Sequence, residues 1–166
     1  MYIPDKYKQK VKASTIILVI ICFAAQFAYE SVYVIKPGEQ IIVTRFGAIE
    51  KGPIKKPGYH FKLYRFDQVV RYPSKQTMVQ IDFIGCPPRA NPFRADVNFT
   101  ISDPISFYQR VQHVDSLPKV ISFMLNEKYC KKSYKTNEEN YSSIPDFIET
   151  ETKIYGISVN NINNRG

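Results

Sequence analysis

Two short segments of the chain have the spacing of motifs that bind phosphate or carry a catalytic serine. Gly47 and Gly52 are spaced like the two glycines of a P-loop, whose backbone amides surround the phosphates of a nucleotide. Pro53 stands where a P-loop requires lysine, and no helix pattern follows. Ser158 is followed two residues later by Asn160, where a nucleophile elbow requires glycine, and its context precedes a strand. Neither segment therefore predicts an enzyme.

The histidines and cysteines are the next candidates, because these residue types most often bind transition metals. His60 and His113 are far apart, and no HExxH or CxxC spacing occurs. We expect His60 to lie on a strand beside a turn and His113 to follow a helix end. Cys22 lies in an apolar run and is expected to pack there. Cys86 and Cys130 could form a disulfide in an oxidising compartment, with free thiols as the alternative. No metal site or cofactor is predicted.

Composition excludes several classes of protein. Hydrophobic residues make up 44% of the 166 residues and charged residues 23%, close to the average of globular domains. A wholly disordered chain is excluded by this balance, and a disulfide scaffold is excluded because there are only three cysteines. The net charge is +8. A basic chain can bind nucleic acid, anionic lipid or acidic proteins, so the positions of its charges must decide between them.

An uncharged segment lies near the N-terminus, from residue 13 to residue 29, and is strongly apolar over residues 16–25. A helix that spans a bilayer needs about 20 residues. Four lysines precede the segment, and the positive-inside rule places them in the cytoplasm: Lys6, Lys8, Lys10 and Lys12. We therefore predict an uncleaved signal anchor. The alternatives are a cleaved signal peptide, although no Ala-x-Ala site is present, and a buried core helix.

Strand patterns dominate the next part of the chain. Three segments, residues 40–47, 59–63 and 69–84, are rich in β-branched or alternating apolar residues, and Pro73 breaks the last of them. Turn signals with Gly and Pro separate the segments. Strict alternation from Phe93 to Ser102 predicts a strand with one face in the core and the other in water.

Helix patterns follow the strands. Asp103 is a predicted N-cap with Pro104 in the first turn, which opens the first of three helices, at residues 103–112, 118–132 and 144–155. Gly156 is the expected residue after the third helix, and a last strand begins at Ile157. Residues 160–166 are polar and are expected to fray. Strands, then helices, then a closing strand predict an α+β domain.

Six short segments occur in an order that is typical of one family: VIKPGEQ at 34–40, TRFG at 44–47, PGYHFKL at 57–63, DQVV at 67–70, ISDP at 101–104 and YGISV at 155–159. In these segments the chain resembles the SPFH/Band 7 family of stomatins, prohibitins and bacterial HflK and HflC. The resemblance covers roughly residues 28 to 162. The preceding anchor is most similar to the HflK/HflC branch. The sequence is expected to be a short form without the long coiled-coil helix that usually follows the domain.

The resemblance implies a scaffold protein and no enzyme. Members of the family assemble laterally into rings or cages on membranes, and HflK/HflC-like members restrain a membrane AAA protease of the FtsH type. The motif residues would have structural roles in turns, strand ends and a helix cap: Pro37, Gly38, Glu39, Arg45, Phe46, Gly47, Pro57, Gly58, Phe61, Asp103, Pro104 and Gly156.

Lysines and arginines are concentrated in residues 51–75, where aromatic residues lie between them. Near a membrane, each cation adjacent to anionic headgroups contributes roughly 1 kcal/mol of attraction. The candidates for headgroup contact are Lys55, Lys56, Lys62 and Arg65. The alternative is a solvated strand face above core aromatics.

Together these patterns predict a basic cytoplasmic tail at 1–12, a transmembrane signal anchor at 13–29, an SPFH/Band 7 domain at 30–162 and a frayed tail at 163–166. We predict a scaffold in the inner (plasma) membrane, with its domain in the periplasm or an equivalent space, so nucleic acid is not an expected partner. It would assemble with itself or SPFH paralogues and modulate a membrane AAA protease. The alternative functions are a monomeric anchored module that binds lipid or a protein partner, and an anchored enzyme.

Overall fold

The computed structural model describes residues 5–85, 93–130 and 143–165, with side chains from residue 14 onward. Its first element is a long helix, α1, Asp5–Glu30. The predicted anchor at 13–29 therefore lies on a helix. However, the described part of the chain contains no helix that is both long enough and apolar enough to cross a bilayer, so the prediction of a membrane span is not supported.

Seven strands follow α1 and pair only in antiparallel fashion with their neighbours. Their bounds are β1 Val32–Ile35, β2 Glu39–Arg45, β3 Ala48–Ile54, β4 Gly58–Phe61, β5 Asp67–Pro73, β6 Thr77–Phe83 and β7 Phe93–Ile101. β1 and β4 form a two-stranded ribbon, and β3, β2 and β5 form a sheet in that order. β6 and β7 belong to a second three-stranded sheet, whose third strand comes from the end of the chain.

The helices come after β7 and lead to that closing strand. They are α2 Pro104–Arg110, α3 Leu117–Leu125 and α4 Ile144–Thr152, and the last strand is β8 Ile157–Asn164. A π-helical turn, Asn126–Cys130, continues α3, while the end predicted for this helix lies outside the described residues. β8 continues through residues 160–164, where the sequence predicted a frayed end, because these residues pair with β7. The mixed fold fits the predicted α+β class.

The central strand of the first sheet, β2, is buried on both faces. Ile42 packs into the main core, which lies between the second sheet and helices α2 to α4. Ile41 and Val43 point the other way, into a small core with Tyr33 and Ile35 of β1. β7 shows the predicted alternation in full, with every second side chain buried. The ribbon therefore has its own small core and is not part of the main one.

Two buried polar contacts join the two sheets. Gln40, on β2, is fully buried, and its Nε2 donates to the carbonyl oxygens of Pro73 (3.1 Å) and Ile101 (2.8 Å). The Tyr72 hydroxyl donates to the carbonyl oxygen of Gln112 (2.6 Å). Buried carbonyls need such partners, since an unpaired polar group in the core is costly. These bonds fix the first sheet against the end of β7 and α2.

Candidate functional site

The ribbon of β1 and β4 has one packed face and one open face. Val32 is paired with Phe61, and Val34 with Tyr59, so these four side chains lie on the same face. They are 36%, 75%, 42% and 78% exposed, respectively. On the opposite face the Tyr33 ring is buried and stacks on the His60 ring at 5.6 Å. The open apolar face is a surface that water solvates poorly.

A second exposed apolar group, which we call the aromatic tip, is formed by Phe46 and Phe66. Phe46 lies in the turn between β2 and β3, where it and Gly47 both have positive φ, 51° and 82°. Two such residues make the tight hairpin turn that suits twisted strands. Phe46 is 82% exposed, and its ring lies 6.0 Å from that of Phe66 in an edge-to-face contact. The turn thus presents an aromatic side chain to its surroundings.

An ion pair stabilises the base of the aromatic tip. The Nε atom of Arg45 donates to Asp67 (2.8 Å), and the N–H of Leu63 donates to the other carboxylate oxygen (2.8 Å). Glu50 also contacts Arg45, at 3.2 Å. The hydrogen bond from Arg45, and then that from Leu63, lowers the pKa of the Asp67 carboxyl. This contact links the end of β2 to the loop before β5.

The end of α1 is fixed beside these surfaces. The Ser31 hydroxyl donates to the Phe27 carbonyl oxygen (2.7 Å), and the Ser31 carbonyl oxygen accepts from the N–H of Lys62 (2.8 Å). The Phe27 ring meets the Tyr64 ring edge to face, with centroids 5.5 Å apart. Aromatic contacts therefore run from α1 into the 62–66 loop, next to the open face of the ribbon and the aromatic tip.

The predicted headgroup residues border this region in the sequence. Lys55, Lys56 and Arg65 are exposed, and Lys62 is half-buried. None of the four forms an ion pair with a described residue. The His60 Nε2 donates to the carbonyl oxygen of Lys56 (2.9 Å), which holds the connection between β3 and β4 against the ribbon. The charges of Lys55, Lys56, Lys62 and Arg65 remain available to an anionic surface.

The first motif segment forms the turn between β1 and β2. Pro37 and Gly38 occupy its centre, Gly38 has φ of 88°, and the N–H of Glu39 donates to the Lys36 carbonyl oxygen (3.1 Å). The Glu39 carboxylate accepts from the N–H of Lys36 and from Arg71, and the first of these is the main reason its pKa is lowered. Arg71 also donates to the Val34 carbonyl oxygen, which ties the ribbon to the first sheet.

The second group of motif residues lies where α2 begins, directly after the end of β7 to which Gln40 bonds. Asp103 caps the helix by accepting from the N–H of Ile105 (3.0 Å) and the hydroxyl of Ser106 (2.6 Å), and its pKa is lowered chiefly by the latter bond. Pro104 occupies the first turn. Gly156 has φ of 73°, and a Cβ there would overlap the carbonyl oxygen of Asp103. Asp103 is exposed, but both of its carboxylate oxygens accept hydrogen bonds within the first turn of α2, so these residues fix the chain path.

Of the remaining motif pair, Pro57 precedes β4 and Gly58 is its first residue, with φ of 130°. Their backbone directs Tyr59 and Phe61 to the open face of the ribbon. Sequence reasoning identified these two aromatics beside cations. It gave Phe46 a structural role as a motif residue and did not assign Val32, Val34 or Phe46 to an exposed surface. Residues 32–35 are all apolar in sequence, so the sequence does not show which face of the strand is covered.

Within residues 5–85, 93–130 and 143–165, no group of three or more His, Cys, Asp or Glu residues is arranged to hold a metal ion. Cys22 is a free thiol, whereas Cys130 is disulfide-bonded. Its candidate partner, Cys86, lies outside the described residues. The candidate site is therefore a surface, with apolar, aromatic and cationic components.

A family comparison accounts for this arrangement. The model of the SPFH domain / Band 7 family matches residues 33–133, which is more than half of the chain. The chain belongs to the SPFH/Band 7 family. No curated protein matches the chain at a significant level. The SPFH/Band 7 family is one of membrane-associated scaffold proteins whose members are generally not enzymes and typically form oligomers. The matched region includes the ribbon from Tyr33 onward, the aromatic tip and the four cations.

Proposed function

We propose that this SPFH/Band 7 protein is a membrane-associated scaffold that contacts the bilayer through the open face of the ribbon and the aromatic tip. The observation that carries the proposal is the exposure of Val32, Val34, Tyr59 and Phe61 on one face directly after α1. Exposed apolar side chains that are grouped together mark an interaction surface. Tyr and Phe are suited to the bilayer interface, and the nearby cations are attracted to anionic headgroups.

The exposed part of α1 gives the proposal independent support. Six consecutive apolar residues, Ile16 to Ile21, are each between 45% and 63% exposed. Since successive residues of an α-helix are turned by about 100°, six of them surround the whole helix. No face of this segment is therefore covered by the domain. A helix satisfies its own backbone hydrogen bonds, so insertion of this segment into lipid would remove the apolar surface from water without leaving polar groups unpaired.

The proposed location follows from the charges and the disulfide. The N-terminal tail has lysines at positions 6, 8, 10 and 12, which favours the cytoplasmic side of an inner (plasma) membrane. The disulfide at Cys130 favours an oxidising compartment for the domain, such as the periplasm. Protease accessibility in sealed right-side-out vesicles tests this: a protected N-terminal tag and a digested domain support the proposed location, and a digested tag with a protected domain contradicts it.

In function, we propose a role like that of HflC/HflK or prohibitin, in which the chain assembles with itself or SPFH paralogues and modulates a membrane AAA protease. Its mechanism would be steric confinement of the protease within an assembly, without bond chemistry. Family membership and the absence of a predicted catalytic constellation support this proposal. The test is the native size of the full chain after mild detergent extraction, with mass spectrometry of the proteins that co-migrate.

A large particle that contains an SPFH paralogue and an AAA protease supports the proposal. A species of one or two chains without the protease contradicts it. That result would favour a monomeric anchored module that binds lipid or a protein partner. The same extract should then be examined by flotation with vesicles, because lipid binding by a small species identifies the module as lipid-binding.

A further inference from the structure

The second sheet ends in an unpaired strand. β8 pairs with β7 on one side, and no strand in the described part of the chain pairs with it on the other. Helix α4 packs near β8, but no backbone hydrogen bond between them is found among the described residues. A free strand edge presents backbone N–H and C=O groups that can pair with another strand. The free edge of β8 is therefore a potential interaction surface.

The residues of β8 do not protect this edge. Proteins usually block open edges with charged side chains, proline or very short strands. β8 has eight residues, ISVNNINN, and none of them is charged or proline. It has one bulge, at Asn160, where two residues of β8 oppose one of β7. The side chains of Ser158, Asn161 and Asn163 are exposed and uncharged. They would not repel a second strand.

Two apolar residues of β8 remain incompletely covered. Val159 and Ile162 face the main core through their β7 partners, Phe99 and Val97, yet both are only half-buried. Their partners on β7 are almost fully buried. The apolar side chains of the sheet are thus less completely buried on β8 than on β7. A further strand with apolar residues at matching positions would cover both side chains.

We propose that the β8 edges of two copies of this chain pair antiparallel and form one continuous six-stranded sheet. In the register that this requires, Val159 of each copy lies opposite Ile162 of the other, and Ser158 lies opposite Asn163. The two bulges then face each other across the two-fold axis. Residues that face the main core of one copy therefore pair only with residues that face the main core of the other. An isologous contact of this kind uses the same surface on both copies.

The register is what identifies a second copy as the occupant. β8 is self-complementary over residues 158–163, because its two half-buried apolar residues directly flank the pair 160–161, which together oppose one residue of β7. A second copy repeats this outward-facing pair, whereas a strand with regular alternation leaves one of the two residues without an opposite residue, as β7 does. This inference rests on the proposed function only because both concern the assembly of several copies. The pairing itself does not depend on lipid or on a protease.

Cysteine pairs test the register in the full chain, in detergent and in a Cys22→Ser background. Opposite residues of an antiparallel pair have Cβ atoms about 5 Å apart, within reach of a disulfide. Residues 158 and 163 of one chain are separated by roughly 17 Å, so they cannot bridge within one copy. We expect Ser158→Cys/Asn163→Cys to form a covalent dimer under mild oxidation, while each single variant stays monomeric on a denaturing gel.

Three results overturn the pairing: no cross-linked dimer with the double variant, a dimer with Ser158→Cys alone, or a dimer with Ser158→Cys/Gln80→Cys. The second result indicates parallel pairing or an antiparallel register centred on residue 158, and the third indicates that β8 meets the exposed side of β6 in another copy. Native size measured on the same samples separates this inference from the proposed function. A large particle without the cross-link contradicts only the β8 pairing, and single chains contradict both.

Charged substitutions at Ser158 and Asn163 provide a second test that leaves the fold intact, since both residues are exposed. Ser158→Lys/Asn163→Lys places like charges opposite each other twice across the axis. Ser158→Lys/Asn163→Glu places opposite charges there. We expect the dimer dissociation constant of the first to exceed that of the second by about tenfold or more, with equal melting temperatures. Equal dissociation constants would overturn the proposed register.

Discussion

The open face of the ribbon offers a direct measurement of membrane docking, because the chain contains no tryptophan. Tyr59→Trp introduces one on that face, where the native ring is 78% exposed. In vesicles with brominated lipids, a tryptophan within the bilayer loses fluorescence on contact with bromine. We expect strong quenching for Tyr59→Trp. The matched control is Phe123→Trp, on α3, where the native ring is 66% exposed and quenching should be weak.

Removing a neighbouring ring should shift this docking by a calculable amount. Phe61 is paired with Val32 and is 75% exposed. An aromatic side chain has about 200 Å² of surface, so roughly 150 Å² of Phe61 is open to water, equivalent to about 3 to 4 kcal/mol of transfer free energy at 25 cal/mol per Å². Partial insertion at the interface would realise about half of this, roughly 2 kcal/mol or about a thirtyfold change in the docked-to-free ratio.

The assay is the quenching of Tyr59→Trp with and without Phe61→Ser, at several fractions of anionic lipid. We expect Phe61→Ser to reduce quenching sharply while α1 keeps the protein on the vesicles, as flotation will verify. Phe123→Ser in the same reporter background should leave quenching unchanged. If Phe61→Ser and Phe123→Ser have the same small effect, the ribbon does not dock on lipid and the reasoning from its exposure is refuted.

Three further predictions concern the stability of the domain. Gly47→Ala should lower the unfolding free energy by about 1 kcal/mol through backbone strain alone, whereas Gly156→Ala should lower it by roughly 3 kcal/mol or more because its Cβ also overlaps backbone; chemical denaturation compares them. The carboxylate of Asp67 stabilises the fold fully above its ordinary pKa of 3.8, and this stabilisation is lost as the pH falls through the lowered pKa of the folded state. Asp67→Asn should therefore flatten the acid side of a plot of melting temperature against pH. Burial raises the pKa of Tyr72 to about 12, so its contribution to the stability of the fold should persist to pH 10 and decline towards pH 12. Tyr72→Phe should remove that alkaline loss of stability. It should cost about 1 kcal/mol at neutral pH, because the Gln112 carbonyl loses its donor.

Some elements could be predicted because a local pattern specifies them. The strict alternation after Phe93 predicted β7, and Asp103 followed by Pro104 predicted the start of α2. Gly156 adopts the left-handed conformation expected of a residue that ends a helix. In each case the physical cause acts within a few residues of the chain. The strand β3 was not predicted, because Gly52 and Pro53 indicated a turn and pairing with β2 overrides that local signal.

The candidate surface was predictable only in part. Aromatic residues interleaved with cations indicated an interfacial segment around Tyr59 and Phe61. Phe46 was predicted only as a motif residue with a structural role, since Phe is among the residue types most often buried. Its exposure results from the turn at Gly47 and from the Arg45–Asp67 ion pair, which brings together residues that are 22 positions apart. Such a contact leaves no periodic signal in the sequence.

The sequence by itself determined that strands precede helices and that a closing strand follows them, and it determined the apolar N-terminal segment and the family resemblance, since all three depend on residue types at short spacing. Only the tertiary structure decided which faces are covered. β1 alternates between two apolar faces, and the small core with Ile41 buries one of them and leaves Val32 and Val34 outside. β8 is likewise an ordinary polar strand in sequence, and it becomes an open edge only because β7 pairs with one side of it. Exposure is a property of what packs against a residue, and no residue carries that information alone.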